Sequence, residues 1–341
     1  MTMLDAGATP ELMSNAALRL QRWVSGCYPS RSETALDVVA EPGADLTALF
    51  ASGLVTEDTW IYADPESAAA FPTAATVVPT EGSFRYSGDE IVLADEVFIQ
   101  VFDYSSIGFL TVAGPTVVRI TNDDDLAAFL DDADRAAAEG AFPEQLVHPS
   151  VQLADLPALA GSTFESGVAR LYVAEDGTLR TGPAGVVLPG GGREPQSGGV
   201  LDGALTPGLL AQAHRERPWL ARYVRVLDAL RRLSARHPHG SVQVSGFGFR
   251  LCPGLAPAVV EDTDATLLVV VAGQPYLLVG DELKMYRVGR EAAVVYEAYQ
   301  AVEPEQAARL AAEALGLDTE VVRGLYAQLS ARIIEPAGGA K

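Results

Sequence analysis

The chain has 341 residues, 48% of them hydrophobic, and carries 24 Lys and Arg against 45 Asp and Glu, a net charge of −21. Its length and apolar content suffice for two or three cored domains, and its charge disfavours nucleic acids and anionic membrane surfaces as partners.

The first thirty residues contain no basic start followed by an apolar run, and no uninterrupted apolar run reaches spanning length, so a cytoplasmic location is expected. Cys27 and Cys252 are too few and too far apart for a disulfide framework, which fits a reducing compartment. Residues 1–150 read as one α/β domain. An amphipathic helix covers Leu18 to Trp23, and strand signals recur at 59–62, 76–78, 84–86, 97–102, 109–112 and 116–120. Asn122, Asp123, Asp124 and Asp125 then open a helix that ends near Gly140. Acidic residues at a helix start complement its dipole, and the glycine turn and distal glutamate of a calcium loop are missing, so capping is the expected role.

A middle region is expected over 151–250. Residues 170–173 and 178–180 flank Asp176 and Gly177, a hairpin signal. The glycine-rich stretch 182–203 has no lysine and hydroxyl residue after it, as a phosphate loop would, and reads as a flexible linker. From Arg215 to Arg250 the charge reverses, with eight arginines against Glu216 and Asp228. Within it a helix over about 219–236 bears an apolar stripe of Trp219, Tyr223, Val226, Leu227, Leu230 and Leu233. Its Arg222, Arg225 and Arg232 leave two readings open: contact with an acidic partner, or docking within the chain, where long arginine stems cover apolar surface.

Residues 251–341 carry three strand patterns, 266–271, 276–279 and 283–288, followed by three helices. The first helix lies near 290–301; the second starts at Pro304 and stops at Gly316; the third is capped by Asp318 or Thr319 and repeats Val322, Leu325, Leu329 and Ile333. The expected fold class is therefore α+β, an N-terminal α/β region of one or two domains followed by a C-terminal winged helix-turn-helix of three strands and three helices. Winged helices commonly bind DNA through their last helix. Here 256–341 hold seven Lys and Arg against thirteen Asp and Glu, and the last helix offers only Arg323 and Arg332, so phosphate would be repelled.

The sequence Tyr286, Arg287, Val288, Gly289, then Val295 and Tyr296, then Leu310 to Leu315 with Gly316, then Val321, Val322 and Leu325 resembles a PqqD-like RiPP recognition element, a peptide-binding module of ribosomal natural-product pathways. It departs from that pattern in Gly289, where asparagine is usual, and in a shorter, alanine-rich second helix. The resemblance implies that a precursor leader peptide adds as an antiparallel strand beside the third strand, gaining affinity through the main chain and specificity through side-chain pockets. Carried onto this chain, the edge is Lys284, Met285, Tyr286, Arg287 and Val288, and the groove wall is Arg323, Tyr326, Ala327 and Ser330.

Over the whole chain, residues 20–26, 114–119 with the Asp-rich helix after them, 217–223 and 244–248 are similar to actinobacterial daptide biosynthesis RiPP recognition proteins. That resemblance implies a non-catalytic partner that presents a precursor peptide to separate tailoring enzymes, which would hold any cofactors. The residues themselves show no nucleophile elbow, Walker loop, kinase signature or dinucleotide fingerprint, and His237 and His239 lack further metal ligands. No catalytic or metal-binding residue is assigned, and no cofactor is expected. The competing hypothesis is a peptide-modifying enzyme with its active site in the N-terminal α/β region and a fused leader-binding domain.

Overall fold

The computed structural model describes residues 2–3, 10–27, 36–69, 74–161, 170–188, 201, 204–238, 240–256, 266–280 and 283–334. The chain is α+β and forms two compact units, residues 1–129 with 150–215, and residues 130–149 with 216–341. No helix among the described residues is long and apolar enough to cross a membrane.

The first unit is a curled ten-stranded sheet around a helix. Its strands are β1 (Thr2–Met3), β2 (Asp37–Ala40), β3 (Trp60–Ala63), β4 (Thr76–Glu81), β5 (Glu90–Leu93), β6 (Val97–Asp103), β7 (Thr116–Arg119), β8 (Val151–Leu153), β9 (Arg170–Val173) and β10 (Leu179–Arg180). They run in the order β10-β9-β2-β3-β4-β5-β6-β7-β8, with β1 beside β4. The pairings β9-β2-β3-β4 and β6-β7-β8 are parallel, while β5 joins the two sets through antiparallel neighbours. Helix α1 (Pro10–Ser25) buries Met13, Ala16, Leu20, Trp23 and Val24, a helical spacing that puts them on one face. Four of these share a core with Tyr62, Val78, Leu93, Val101, Val117 and Tyr172 from six different strands. Two polar tips find main-chain partners inside that core: Trp23 Nε1 donates to Leu171 O at 2.9 Å and Tyr62 Oη to Ala16 O at 2.7 Å.

Several sequence expectations differ from this unit. Residues 84–86 form a bend, and Phe109, 93% exposed, ends a 3-10 helix (Tyr104–Phe109) that 110–112 follow, so neither is a strand. Strands β2 and β5 come from short segments, Asp37–Ala40 and Glu90–Leu93, whose weak alternation hides them. No new domain starts after Pro149, because β8 pairs with β7 and β9 with β2, so the expected boundary cuts the sheet. The β9–β10 hairpin turns at Gly177 as expected, with φ +78°. Most of the proposed linker, 189–200 and 202–203, lies outside the described residues, while 182–188 turn back to bridge Arg180 with Val187.

Helix α2 (Thr47–Ala51), α3 (Pro65–Ala69), α5 (Leu156–Leu159) and α6 (Leu209–Glu216) are short, whereas α4 (Asp123–Glu139) begins in the first unit and ends in the second. Asn122 Oδ1 accepts from Asp125 N at 2.9 Å, and Asp125 accepts from Thr121 N, Thr121 Oγ1 and Ser105 N, so this acidic cluster closes a helix start.

The second unit contains α7 (Leu220–Ser234), an antiparallel sheet and three C-terminal helices. The sheet runs β11 (Val242–Val244), β12 (Leu267–Val271), β13 (Gln274–Val279), β14 (Lys284–Arg287). The helices are α8 (Arg290–Ala301), α9 (Pro304–Leu315) and α10 (Thr319–Ile334). Pro304 takes the first helical position of α9 and Gly316 ends it at φ +66°, a left-handed cap that favours glycine. Ala307, Ala308, Ala311 and Ala312 bury the small face of α9 against Val294, Val295, Ala298 and Val322.

The expected boundary at residue 251 also falls inside this unit, for two reasons. Strand β11, with its polar central Gln243, pairs with β12. Glu297 of α8, 1% exposed, accepts from Ser245 Oγ at 2.7 Å and from Cys252 N at 2.6 Å. Arg250 Nη1 donates to the same Ser245 Oγ at 3.1 Å. Burial, with the Glu297 charge beside it, pushes the Cys252 thiol up to about 11. A buried carboxylate is tolerated only when hydrogen-bonded, and truncating it orphans its donors. Replacing Glu297→Ala is therefore expected to cost about 2–4 kcal/mol of stability, with Glu297→Gln costing less. A thermal melt of the full chain in which both variants match the parent contradicts this clamp.

Candidate functional site

Strand β14 is an edge: it pairs with β13 and lies at the end of the four-stranded order. The register sets Tyr276 opposite Arg287, Leu277 opposite Tyr286, Leu278 opposite Met285 and Val279 opposite Lys284. Just beyond the strand, Val288 N donates to Pro275 O at 3.2 Å. Pro275 has no N–H to return, and Gln274 Nε2 supplies the missing donor, reaching Val288 O at 2.9 Å. Both main-chain groups of Val288 thus point at β13. In an antiparallel ladder this orientation alternates, so those of Tyr286 and Lys284 also point inward. The N–H and C=O of Met285 and Arg287 point outward, along the free edge.

Side chains alternate in the same way. Leu277 and Leu268 lie opposite each other and belong to a core with Ala293 and Tyr296 of α8. Tyr286, opposite Leu277, stands on that helix-covered face, and Arg287 and Met285 stand on the other. Lys284, Met285, Tyr286 and Arg287 are all exposed, Met285 by 40% and Tyr286 by 45%. Val288 is half-buried and, with Leu329 of α10, packs on the core of Leu268, Leu277, Ala293 and Tyr296. The end of β14 and the C-terminal half of α10 therefore meet on one cluster.

The expected groove wall divides. Ala327 is exposed and Ser330 half-buried. Arg323 is held by Glu305 at 2.6 Å and by Glu320, and those carboxylates hold its charge firmly. Tyr326 stacks on Tyr299 of α8 with ring centroids 3.8 Å apart and 7° between planes. Both side chains are engaged by α8 and α9, and a ligand must displace or share those contacts. Val321, on the opposite flank of α10, is 50% exposed.

The arginine-rich helix α7 is tied into its own unit. Arg225 Nη2 donates to Gly280 O in the β13–β14 turn, and Arg232 pairs with Asp228 at 2.6 Å. Arg217, just before α7, makes a two-pronged contact with Asp134 of α4 at 2.8 and 2.6 Å. Burial, with repulsion from Arg222 adding to it, lowers the pKa of the Arg250 guanidinium. Arg225 thus anchors the hairpin that presents β14, which composition alone does not reveal.

Polar groups in the first unit serve its packing. Arg170 pairs with Asp155, Arg119 with Asp103 at 2.7 Å, and Glu41 accepts from Tyr172 Oη and from Ser83 Oγ. Burial, then the hydrogen bond to Glu41, push the Tyr172 phenol up. His214 is partly buried, which lowers its pKa, with Nε2 3.4 Å from Ala158 O. His237 borders a hollow of about 200 Å³ with Ser234, Phe142 and Leu230; His239 lies outside the described residues. Among the described residues no three His, Cys, Asp or Glu side chains converge on one point.

No family model, curated protein or solved structure matches this chain.

The alternation along β14 makes a testable contrast. Proline at 287 removes an outward N–H and leaves the β13 pairing intact, so Arg287→Pro is expected to change stability by less than about 1 kcal/mol. Tyr286→Pro removes an inward donor and is expected to cost roughly 2 kcal/mol or more. Equal losses in denaturant melts of the two variants contradict the assigned alternation.

Proposed function

We propose that this chain is a non-catalytic, cytoplasmic peptide-binding protein whose C-terminal winged helix-turn-helix acts as a PqqD-like RiPP recognition element. The observation that carries the reading is the β14 edge: outward main-chain groups at Met285 and Arg287, exposed side chains along it, and an apolar cluster under its end. An extended precursor leader peptide adds there as a fifth antiparallel strand, held by main-chain hydrogen bonds and by alternate side chains. Exposed Ala327 and half-buried Ser330 of α10 lie on the groove side of the helix in this reading.

The remainder of the chain then positions tailoring enzymes, in daptide-type natural-product biosynthesis on the resemblance of residues 20–26, 114–119, 217–223 and 244–248. Cofactors for the modifications belong to those enzymes. Nucleic acid fits poorly, because α10 offers two arginines and one of them, Arg323, is already paired.

Isothermal titration of the full chain against the leader peptides encoded beside its gene tests this. Saturable binding is expected, lost in Arg287→Pro while the variant keeps its melt. Unchanged affinity in the folded Arg287→Pro protein removes β14 as the binding edge.

A further inference from the structure

Strand β11 lies at the other end of the four-stranded order and is an edge as well. Ser245 N donates to Leu268 O at 3.0 Å and Ala272 N to Ser241 O at 3.3 Å. By alternation Ser241, Gln243 and Ser245 therefore aim their main-chain groups at β12, and Val242 and Val244 aim theirs away. Phe247 N donates to the outward C=O of Val244 at 3.2 Å. The outward N–H and C=O of Val242 have no partner among the described residues.

Val242 also lines the hollow of about 200 Å³ that His237 borders. Val147 and Leu230 of its lining are buried. Phe142 is fixed there by Tyr223, stacked at 11° with ring centroids 6.1 Å apart, and by Phe247 at 5.6 Å. The polar side chains among the lining residues are Ser234 and His237. Ser234 Oγ lies 2.5 and 2.9 Å from the main-chain oxygens of Val147 and Arg231, so its proton is committed. His237 is half-buried, in the turn that Ser241 N closes on Pro238 O at 3.1 Å. An apolar cavity of roughly 150 Å³ takes a benzene ring, and this hollow is larger.

The open main chain and the hollow meet at one residue. Gln243 and Ser245 stand with Val270 and Leu268 on the face that α8 covers, so the Val242 side chain stands on the opposite face. A peptide residue set antiparallel opposite Val242 exchanges two main-chain hydrogen bonds with it. Its side chain then lies on the same face as that of Val242, next to the hollow that Val242 lines.

We propose that the β11 edge is a second peptide site, taking one extended residue with an aromatic side chain whose main chain pairs with Val242 and whose ring fills the hollow. A donor and an acceptor side by side match a peptide rather than a hydrocarbon, and the walls of Phe142, Val147 and Leu230 match an uncharged ring. The site is independent of strand addition at β14. Water on Val242 beside an empty hollow is the competing explanation.

Titration of the nitrogen-15-labelled full chain with short peptides blocked at both ends, read at the Val242 amide, is the test. The probe has phenylalanine between two pairs of threonines. One control has alanine at the centre, and another carries an N-methyl group on the phenylalanine nitrogen. The phenylalanine peptide is expected to shift the Val242 resonance saturably. The alanine peptide should bind about tenfold or more weaker, and the N-methyl peptide about three- to tenfold weaker. Ala141 is exposed and lines the hollow, so in Ala141→Trp the phenylalanine peptide should lose its advantage over the alanine one. An alanine peptide as tight as the probe, or an unchanged preference in Ala141→Trp, overturns the ring pocket. An N-methyl peptide as tight as the probe overturns the pairing with Val242. No saturable shift at Val242 overturns the site, and shifts confined to β14 do so while leaving strand addition there standing.

Discussion

A strand at the end of a sheet has half its main-chain donors and acceptors aimed away from the other strands of that sheet, and water or another segment must satisfy them. In β14 these are the groups of Met285 and Arg287, fixed by the register with β13 and by the inward contacts of Val288 with Pro275 and Gln274. The proposed strand addition follows from that geometry. The strand is short, four residues, and cationic, two features that blunt an edge toward indiscriminate pairing while leaving it open to a complementary peptide.

The rest of the second unit keeps this edge in place. Arg225 holds the turn between β13 and β14 from α7, and the core of Leu268, Leu277, Ala293 and Tyr296 fixes the sheet against α8. Behind it, Glu297 ties α8 to Ser245 and Cys252, so the segment that carries β11 belongs to the same folded body. Cutting the chain near residue 251 would expose one edge of β12 and leave Glu297 buried without Ser245. The fold of the unit that carries the β14 edge thus depends on a carboxylate in the helix that directly follows that strand.

Legibility in the sequence followed the strength of local signals. The runs Leu267–Val271 and Gln274–Val279, the proline that opens α9 and the Gly316 that ends it are strong, and the strand and helix spans there match the expectation within a few residues. Phe109, Leu110, Thr111 and Val112 have strand composition, yet the 3-10 helix from Tyr104 turns the chain and leaves Phe109 in solvent. Strand β11 has three residues and a polar centre, and only its pairing with β12 makes it a strand. At the site, the strand Lys284–Arg287 is evident in the alternation, whereas the ties of Arg323 to Glu305 and of Tyr326 to Tyr299 are tertiary contacts that helical spacing does not foretell. A single glutamate in the apolar run Val294, Val295, Tyr296, Glu297, Ala298 was the one sequence mark of the buried clamp.

Residue-resolved amide exchange tests the open edge most directly. In the free protein the amides of Met285 and Arg287 should exchange fast while those of Tyr286 and Val288 are protected by β13. On adding a leader peptide, Met285 and Arg287 should become protected together, with little change at Tyr286 and Val288. Protection of all four amides in the free protein, or a bound peptide that leaves Met285 and Arg287 exchanging freely, contradicts the account.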